Sequence, residues 1–273
     1  MTTIAFLGAG NIAQAIMGGL IDDGFEPGAI IACDPVPACQ EKARDLGVSV
    51  ADANDVAIAA ADIILLCVKP NVVLTLLSEI KVSLANKMLI SVAAGITIPS
   101  MTDRLPKGTA IVRCMPNTPA LVGTGMTALY ANADVSTSQR DSALSILSAV
   151  GQAIWVDDES TLDAVTAVSG SGPAYFFLLM EAMIDAAVKE GLSPPVAEQL
   201  VLQTALGAAR MAIESPDGPA TLRKQVTSPG GTTQAAIEDF QASGFAGIVA
   251  GAVSAARIRS EELSDESQAP KEI

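Results

Sequence analysis

Apolar residues fall into short runs along the first part of the chain and into long stripes along the last part. Ile4–Leu7, Ile30–Cys33, Ile63–Val68, Met88–Val92, Ala110–Cys114, Met126–Tyr130 and Ile154–Val156 are brief aliphatic runs, the pattern of strands. Segments near 11–23, 38–46, 71–81 and 137–150 carry apolar residues at helical spacing instead. Strands alternating with helices predict βαβ units and a mainly parallel sheet. The unbroken run Ile63–Val68 suits a strand covered on both faces.

Beyond about residue 160 the period changes. Residues 172–190, 194–214 and 244–263 are long, rich in Ala, Leu and Met, and repeat with a helical period. Pro194-Pro195 marks a helix start, and Ser215-Pro216-Asp217-Gly218-Pro219 is a turn cluster. The expected organisation is an α/β Rossmann-type dinucleotide-binding domain over 1–160, followed by an all-α dimerisation and substrate-binding domain over 161–273. With so little polar helix surface, the second half is expected to bury part of itself against another subunit. The polar stretch from Glu261 through Ile273 is expected to be frayed.

Composition narrows the function. The net charge is −14 and aromatics are 3%. A basic face and stacking rings are what nucleic-acid binding needs, so no nucleic-acid partner is expected. The chain contains no histidine. That removes Ser-His-Asp triads, Cys-His pairs and His-ligated zinc, and no metal is expected. Cys33, Cys39, Cys67 and Cys114 form no CxxC pair; they are expected to be thiols in a reducing, cytoplasmic compartment. Met1-Thr2-Thr3 offers no basic segment of a signal peptide. Weakly charged runs such as Val56–Val68 and Gly244–Ala256 span about 13 residues, short of the roughly 20 needed to cross a bilayer, so no membrane partner is expected.

The first motif is Gly8-Ala9-Gly10-Asn11-Ile12-Ala13, directly after a strand and opening a helix. In that context Gly8 permits a tight turn and Gly10 lets a pyrophosphate approach the backbone. Ala13 allows close helix–strand packing. The helix N-terminus offers N–H groups and partial positive charge to phosphates. Asp34 closes the second strand. It either accepts the adenosine ribose hydroxyls, favouring NADH over NADPH, or shapes the Asp-Pro turn. Val68-Lys69-Pro70 follows the next long strand, and Arg113 through Pro119 follows a later one. Both are expected to face the cofactor, because ligands gather at the carboxyl ends of strands.

Two glycine-rich segments sit in the helical half, Ser169–Tyr175 and Val226–Thr233. Each is expected to precede a helix and to present either a carboxylate-binding nest of N–H groups or a plain helix cap.

Taken together, Phe6–Asn11, Val68–Pro70, Met115–Pro119, Ser169–Tyr175 and Val226–Thr233 resemble pyrroline-5-carboxylate reductases, from the first loop to about residue 260. The resemblance implies reduction of 1-pyrroline-5-carboxylate to proline by NADPH or NADH, in a homodimer or a larger oligomer built from dimers. It implies that Gly230, Gly231, Thr232 and Thr233 hold this small-molecule substrate. Ser228 is expected to join them, and the Thr233 hydroxyl is expected to hydrogen-bond the ring nitrogen as the catalytic group. With the dinucleotide pattern above, Gly8, Gly10, Asn11, Ile12, Asp34, Val68, Lys69 and Pro70 are the expected cofactor-binding residues, and the resemblance adds Asn54, from a loop. At Asp34 many relatives carry Ser, Thr, Asn or Arg, which suit NADPH better. Relatives carry Lys-Asp before the valine of the last motif, where this chain has Lys224-Gln225. Alternative readings are a non-catalytic dinucleotide sensor and a β-hydroxyacid-dehydrogenase-like reductase, whose lysine would be Lys189.

Overall fold

The computed structural model describes residues 2–80, 82 and 84–268. It divides into two compact units, Met1–Ser171 with Ala255–Ile273, and Gly172–Ser254. The division expected at 160/161 therefore runs differently. The first unit extends to Ser171 and takes back the end of the chain.

The first unit is built on an eight-stranded sheet in the order β3-β2-β1-β4-β5-β6-β7-β8. The strands are β1 (Ile4–Leu7), β2 (Ile30–Cys33), β3 (Ser49–Val50), β4 (Ile63–Leu66), β5 (Met88–Ser91), β6 (Ala110–Met115), β7 (Gly125–Ala131) and β8 (Gly151–Trp155). Strands β1 to β6 run parallel. Strand β7 is antiparallel to β6, and β8 is parallel to β7. The reversal follows from the connection. A single turn of 3-10 helix, Thr118–Val122, ended by Gly123 at φ +69°, replaces a crossover helix. Such a short link can only return the chain antiparallel.

The helices of this unit are α1 (Asn11–Asp22), α2 (Pro37–Asp45), α3 (Asn54–Ala60), α4 (Pro70–Glu79), α5 (Ile98–Thr102), α6 (Thr137–Ser148) and α7 (Thr161–Val165). Alternate residues of each central strand enter opposite cores. Ile4, Phe6, Ile63 and Leu65 join one cluster with α1 and α6. Ala5, Leu7, Ile64 and Leu66 join the other with α3 and α4. This two-sided burial is why the central strands are continuous apolar runs. Each fully buried aliphatic side chain contributes roughly 1.5–3 kcal/mol.

The second unit contains α8 (Gly172–Lys189), α9 (Pro194–Glu214), α10 (Pro219–Gln225), α11 (Thr232–Ala242) and the first part of α12 (Phe245–Gln268). Among its described residues, Ala197 and Val201 are the buried apolar side chains. Phe176, Phe177, Leu178, Leu200, Leu206, Met211 and Ile248 are exposed.

Two expectations are corrected here. The segment Glu261–Gln268 is helix rather than frayed tail. Ser260 and Ser264 are buried, and the Ser260 hydroxyl donates to Asp163 Oδ1 at 2.6 Å. A Cβ on Gly95 would lie 3.3 Å from Leu263 Cβ. The tail is ordered by these contacts within the first unit, as far as the described residues run. Second, the helical stretch Thr161–Lys189 is 29 residues long and apolar enough, by length and composition, to cross a membrane; 11% of its apolar window is buried. The sequence reading found no such run. The cause is that Ser169–Pro173 continues the helix through a π turn instead of breaking it.

Candidate functional site

The first glycine turn is fixed from three sides. Gly8 lies at φ +94°, and a Cβ there would meet the Cys67 carbonyl at 2.7 Å, so the loop after β1 touches the backbone after β4. The Gly8 N–H donates to the Cys33 carbonyl at 2.8 Å. The Ala9 N–H donates to Asp34 Oδ2 at 2.7 Å. Gly10 behaves differently. It is the N-cap of α1, in extended backbone, and a Cβ there would meet nothing within 4 Å. No protein neighbour explains the missing side chain. No side chain caps α1 either, so its N-terminus presents N–H groups and about half a unit of positive charge. Open space beside a bare helix N-terminus fits a dinucleotide pyrophosphate. Asn11 is exposed, Ile12 packs at the edge of the core, and Ala13 is fully buried.

Asp34 does what the turn-shaping alternative required. Its Oδ1 accepts the Val36 N–H at 2.8 Å, while Oδ2 holds Ala9. Each oxygen retains further accepting capacity. Gln14 Nε2 donates to the Ala9 carbonyl and Gln40 Nε2 to the Asp34 carbonyl, both at 2.7 Å. The sequence reading missed both glutamines. Their signal was position: each lies one turn inside the helix that follows its loop.

Asn54 opens α3 and is half-buried, where a loop was expected. Val68 packs at the edge of the second core cluster, Lys69 is exposed, and Pro70 starts α4. The thiols beneath this surface are neutral. Burial pushes Cys67 up to about 12. It also raises Cys114 well above its ordinary value, with Cys67 adding and Arg113 opposing. Cys33 is raised by burial, then by Asp34 and Asp52. In all three the shift favours the protonated thiol over the nucleophilic thiolate. All four cysteines are free.

The loop after β6 is wired to distant segments of the same unit. Arg113 and Glu159 form a largely buried ion pair at 2.9 Å, and the same Glu159 oxygen accepts the Ile98 N–H at 2.7 Å. Asn117 accepts the Met126 N–H and donates to the Ser169 carbonyl. Gly170 lies against Met115, whose terminal methyl would have to move aside for a Cβ at this position. The Ser171 N–H bonds to the Thr166 carbonyl at 2.8 Å. Ser169–Tyr175 thus leaves the π turn Thr166–Gly170, bends at Ser171 and enters α8, so it precedes a helix as expected.

The second glycine segment does precede a helix. Gly230 lies at φ +71°, and a Cβ there would meet nothing within 4 Å. Gly231 caps α11 with no side-chain bond, and its N–H returns to the Ser228 carbonyl at 3.0 Å. The Gly230 N–H donates to Gln234 Oε1 at 2.7 Å. Ser228 and Thr232 are exposed, and Thr233 is half-buried. Gln225 Nε2 donates to Asp217 Oδ2 at 2.8 Å. Lys189 is exposed in the last turn of α8, the position of a solvated helix end.

Known proteins resemble this chain throughout. Residues 159–263 match the family model described as pyrroline-5-carboxylate reductase dimerisation. Residues 3–95 match that of NADP oxidoreductase, coenzyme F420-dependent. A pyrroline-5-carboxylate reductase of Pseudomonas aeruginosa is 50% identical, over 96% of this chain and 97% of its own. The solved structure of one from Coxiella burnetii is 41% identical, with TM-score 0.93, covering 96% of this chain and 98% of its own. A Plasmodium falciparum pyrroline carboxylate reductase solved with NADP bound is 30% identical, with TM-score 0.86 and the same coverage.

Proposed function

The chain belongs to the pyrroline-5-carboxylate reductase family, and from that premise we propose how its own residues carry out the NAD(P)H-dependent reduction of 1-pyrroline-5-carboxylate to proline, the last step of proline biosynthesis. The observation that carries the proposal is a pair of glycine turns, each opening a helix that no side chain caps. Cofactor and substrate are anions, and the protein carries −14. Bulk attraction therefore works against binding, and local positive potential at helix N-termini supplies the grip.

On the first unit, Gly8, Gly10, Asn11 and Ile12 hold the pyrophosphate, while Asp34, Asn54, Val68, Lys69 and Pro70 line the rest of the dinucleotide. When bound, the reduced nicotinamide supplies the hydride that adds to C5 of the imine, the C=N electron pair moving to nitrogen. The iminium substrate is already electrophilic, so positioning dominates, with about 7–11 kcal/mol available in principle. On the second unit, Ser228, Gly230, Gly231, Thr232 and Thr233 hold the substrate carboxylate, and the Thr233 hydroxyl hydrogen-bonds the ring nitrogen. The absence of histidine is no obstacle to this chemistry.

Asp34 leans the coenzyme choice toward NADH, because its carboxylate repels a 2′-phosphate. Its hold on Ala9 means that replacing it also loosens the phosphate loop. The exposed apolar faces of α8, α9 and α12 are covered by a second copy, as dimer or larger oligomer. Four free thiols support a cytoplasmic location.

Two measurements test the scheme. Thr233→Val lowers turnover more than cofactor affinity; a loss below threefold removes the assigned role. Steady-state kinetics with NADH and NADPH, on the wild type and on Asp34→Ser, tests the coenzyme lean. A wild-type preference for NADPH overturns it.

A further inference from the structure

We propose that Gln234 is a positioning residue for the substrate turn, and that Glu238 sets which way its amide faces. The inference rests on the reading that residues 228 and 230–233 hold the substrate. Gln234 Oε1 accepts the Gly230 N–H, and Gln234 Nε2 donates to Glu238 Oε1, both at 2.7 Å. An ionised carboxylate only accepts hydrogen bonds. Glu238 therefore draws the amide NH₂ toward itself and leaves the amide oxygen facing Gly230.

Gln234 is the third residue of α11. In a capping box a glutamine at that position reaches back to the N-cap N–H. Gln234 reaches one residue further, to Gly230, and the N-cap Gly231 has no side chain to bond the helix in return. The arrangement is thus asymmetric. Gly230 and Gly231 have their N–H groups held, by Gln234 and by the Ser228 carbonyl. The N–H groups of Thr232 and Thr233 follow in the uncapped first turn and are left to receive the carboxylate.

Without this tether Gly230 is held only by the turn bond from the Gly231 N–H to the Ser228 carbonyl. It sits at positive φ where even an added Cβ would meet nothing within 4 Å, and glycine visits many other conformations at little cost. A loose turn must be ordered by the substrate itself, which weakens binding without altering the bound geometry. The bridge therefore controls the Michaelis constant for the imine, leaving the coenzyme constant and turnover nearly untouched.

The test is steady-state kinetics on the full-length enzyme with 1-pyrroline-5-carboxylate as the varied substrate. Gln234→Ala raises KM for the imine at least fivefold, with kcat and the coenzyme KM within twofold of wild type. Gln234→Glu places two carboxylates together and raises the imine KM as well. Adding Glu238→Gln to it rebuilds the bridge with donor and acceptor exchanged, and recovers at least threefold of that KM. A role confined to helix stability moves Tm without this split or this rescue, and that result overturns the proposal. So does an unchanged KM in a folded Gln234→Ala. Should Gln234→Ala fail to fold, the exchanged pair carries the test alone. If Thr233→Val impairs the enzyme while the Gln234 variants do not, only this inference falls. If neither affects imine kinetics, the substrate reading falls with it.

Discussion

The two units hold themselves together by different means. In the first, polar links join segments far apart in the chain: Ala9 with Asp34, Arg113 with Glu159, Asn117 with Ser169, and Asp163 with Ser260. In the second, the links described above, Gln225 with Asp217 and Gly230 with Gln234 and Glu238, stay within a helix or an adjacent turn. The first unit buries both faces of its sheet. The second leaves most of its apolar side chains exposed. Helices with such faces lie within the stretch, residues 159–263, that matches the family's dimerisation model.

The strongest way to break this contrast is to charge the exposed faces. Phe176 and Ile248 are 65% and 66% exposed. Phe176→Asp with Ile248→Asp leaves a lone chain almost unaffected but weakens a dimer at least a hundredfold, read by analytical ultracentrifugation. An unchanged assembly removes the contrast. In the first unit the matching experiment is Glu159→Ala. It strands Arg113 as an unpaired buried charge and costs about 3–5 kcal/mol, read by denaturant unfolding. A cost below about 1 kcal/mol shows the pair to be dispensable.

The glycine turns sharpen the comparison. Gly8→Ala meets backbone at 2.7 Å as well as an unfavourable φ, and costs more than the roughly 1–2 kcal/mol of left-handed backbone alone. Gly230→Ala meets no neighbour, so it costs only that backbone penalty. Equal losses in the two variants erase the distinction between a turn fixed by the fold and one fixed by its own helix.

The effect absent at neutral pH is the alkaline limb. Burial raises the Cys67 pKa from 9.0 to about 12. The folded state then holds the proton more tightly than the unfolded chain, so stability is full below pH 9 and falls as pH rises toward 12. The slope is about 1.4 kcal/mol per pH unit for each such thiol. Cys67→Ala removes one thiol's share, and an unchanged slope in that variant contradicts the burial of this thiol.

Much of the site was legible. The strand–glycine–helix pattern located Gly8 and Gly10, and their separate reasons emerged from contacts: Gly8 for the approach of Cys67, Gly10 for open space. The Asp34 alternatives were both readable, but the choice between them needed the partner N–H groups of Ala9 and Val36. Gln14, Gln40 and Gln234 were invisible, because an amide at a helix start looks like any solvated residue until its acceptor or donor is known. The π turn Thr166–Gly170 ahead of α8 was invisible for a related reason: glycine and proline punctuate helices in general, and no local pattern encodes the contact of Gly170 with Met115.

The sequence by itself determined the alternation of strands and helices, the switch to all-helix, and the two glycine turns, since periodicity and backbone freedom are local properties. The tertiary structure decided which residues meet. It reversed β7, returned the end of α12 from Ala255 to the first unit, buried Ser260 against Asp163, and gave Asp34 to the turn after β1. Those outcomes depend on close approach between segments distant in sequence, and no local pattern encodes a distance.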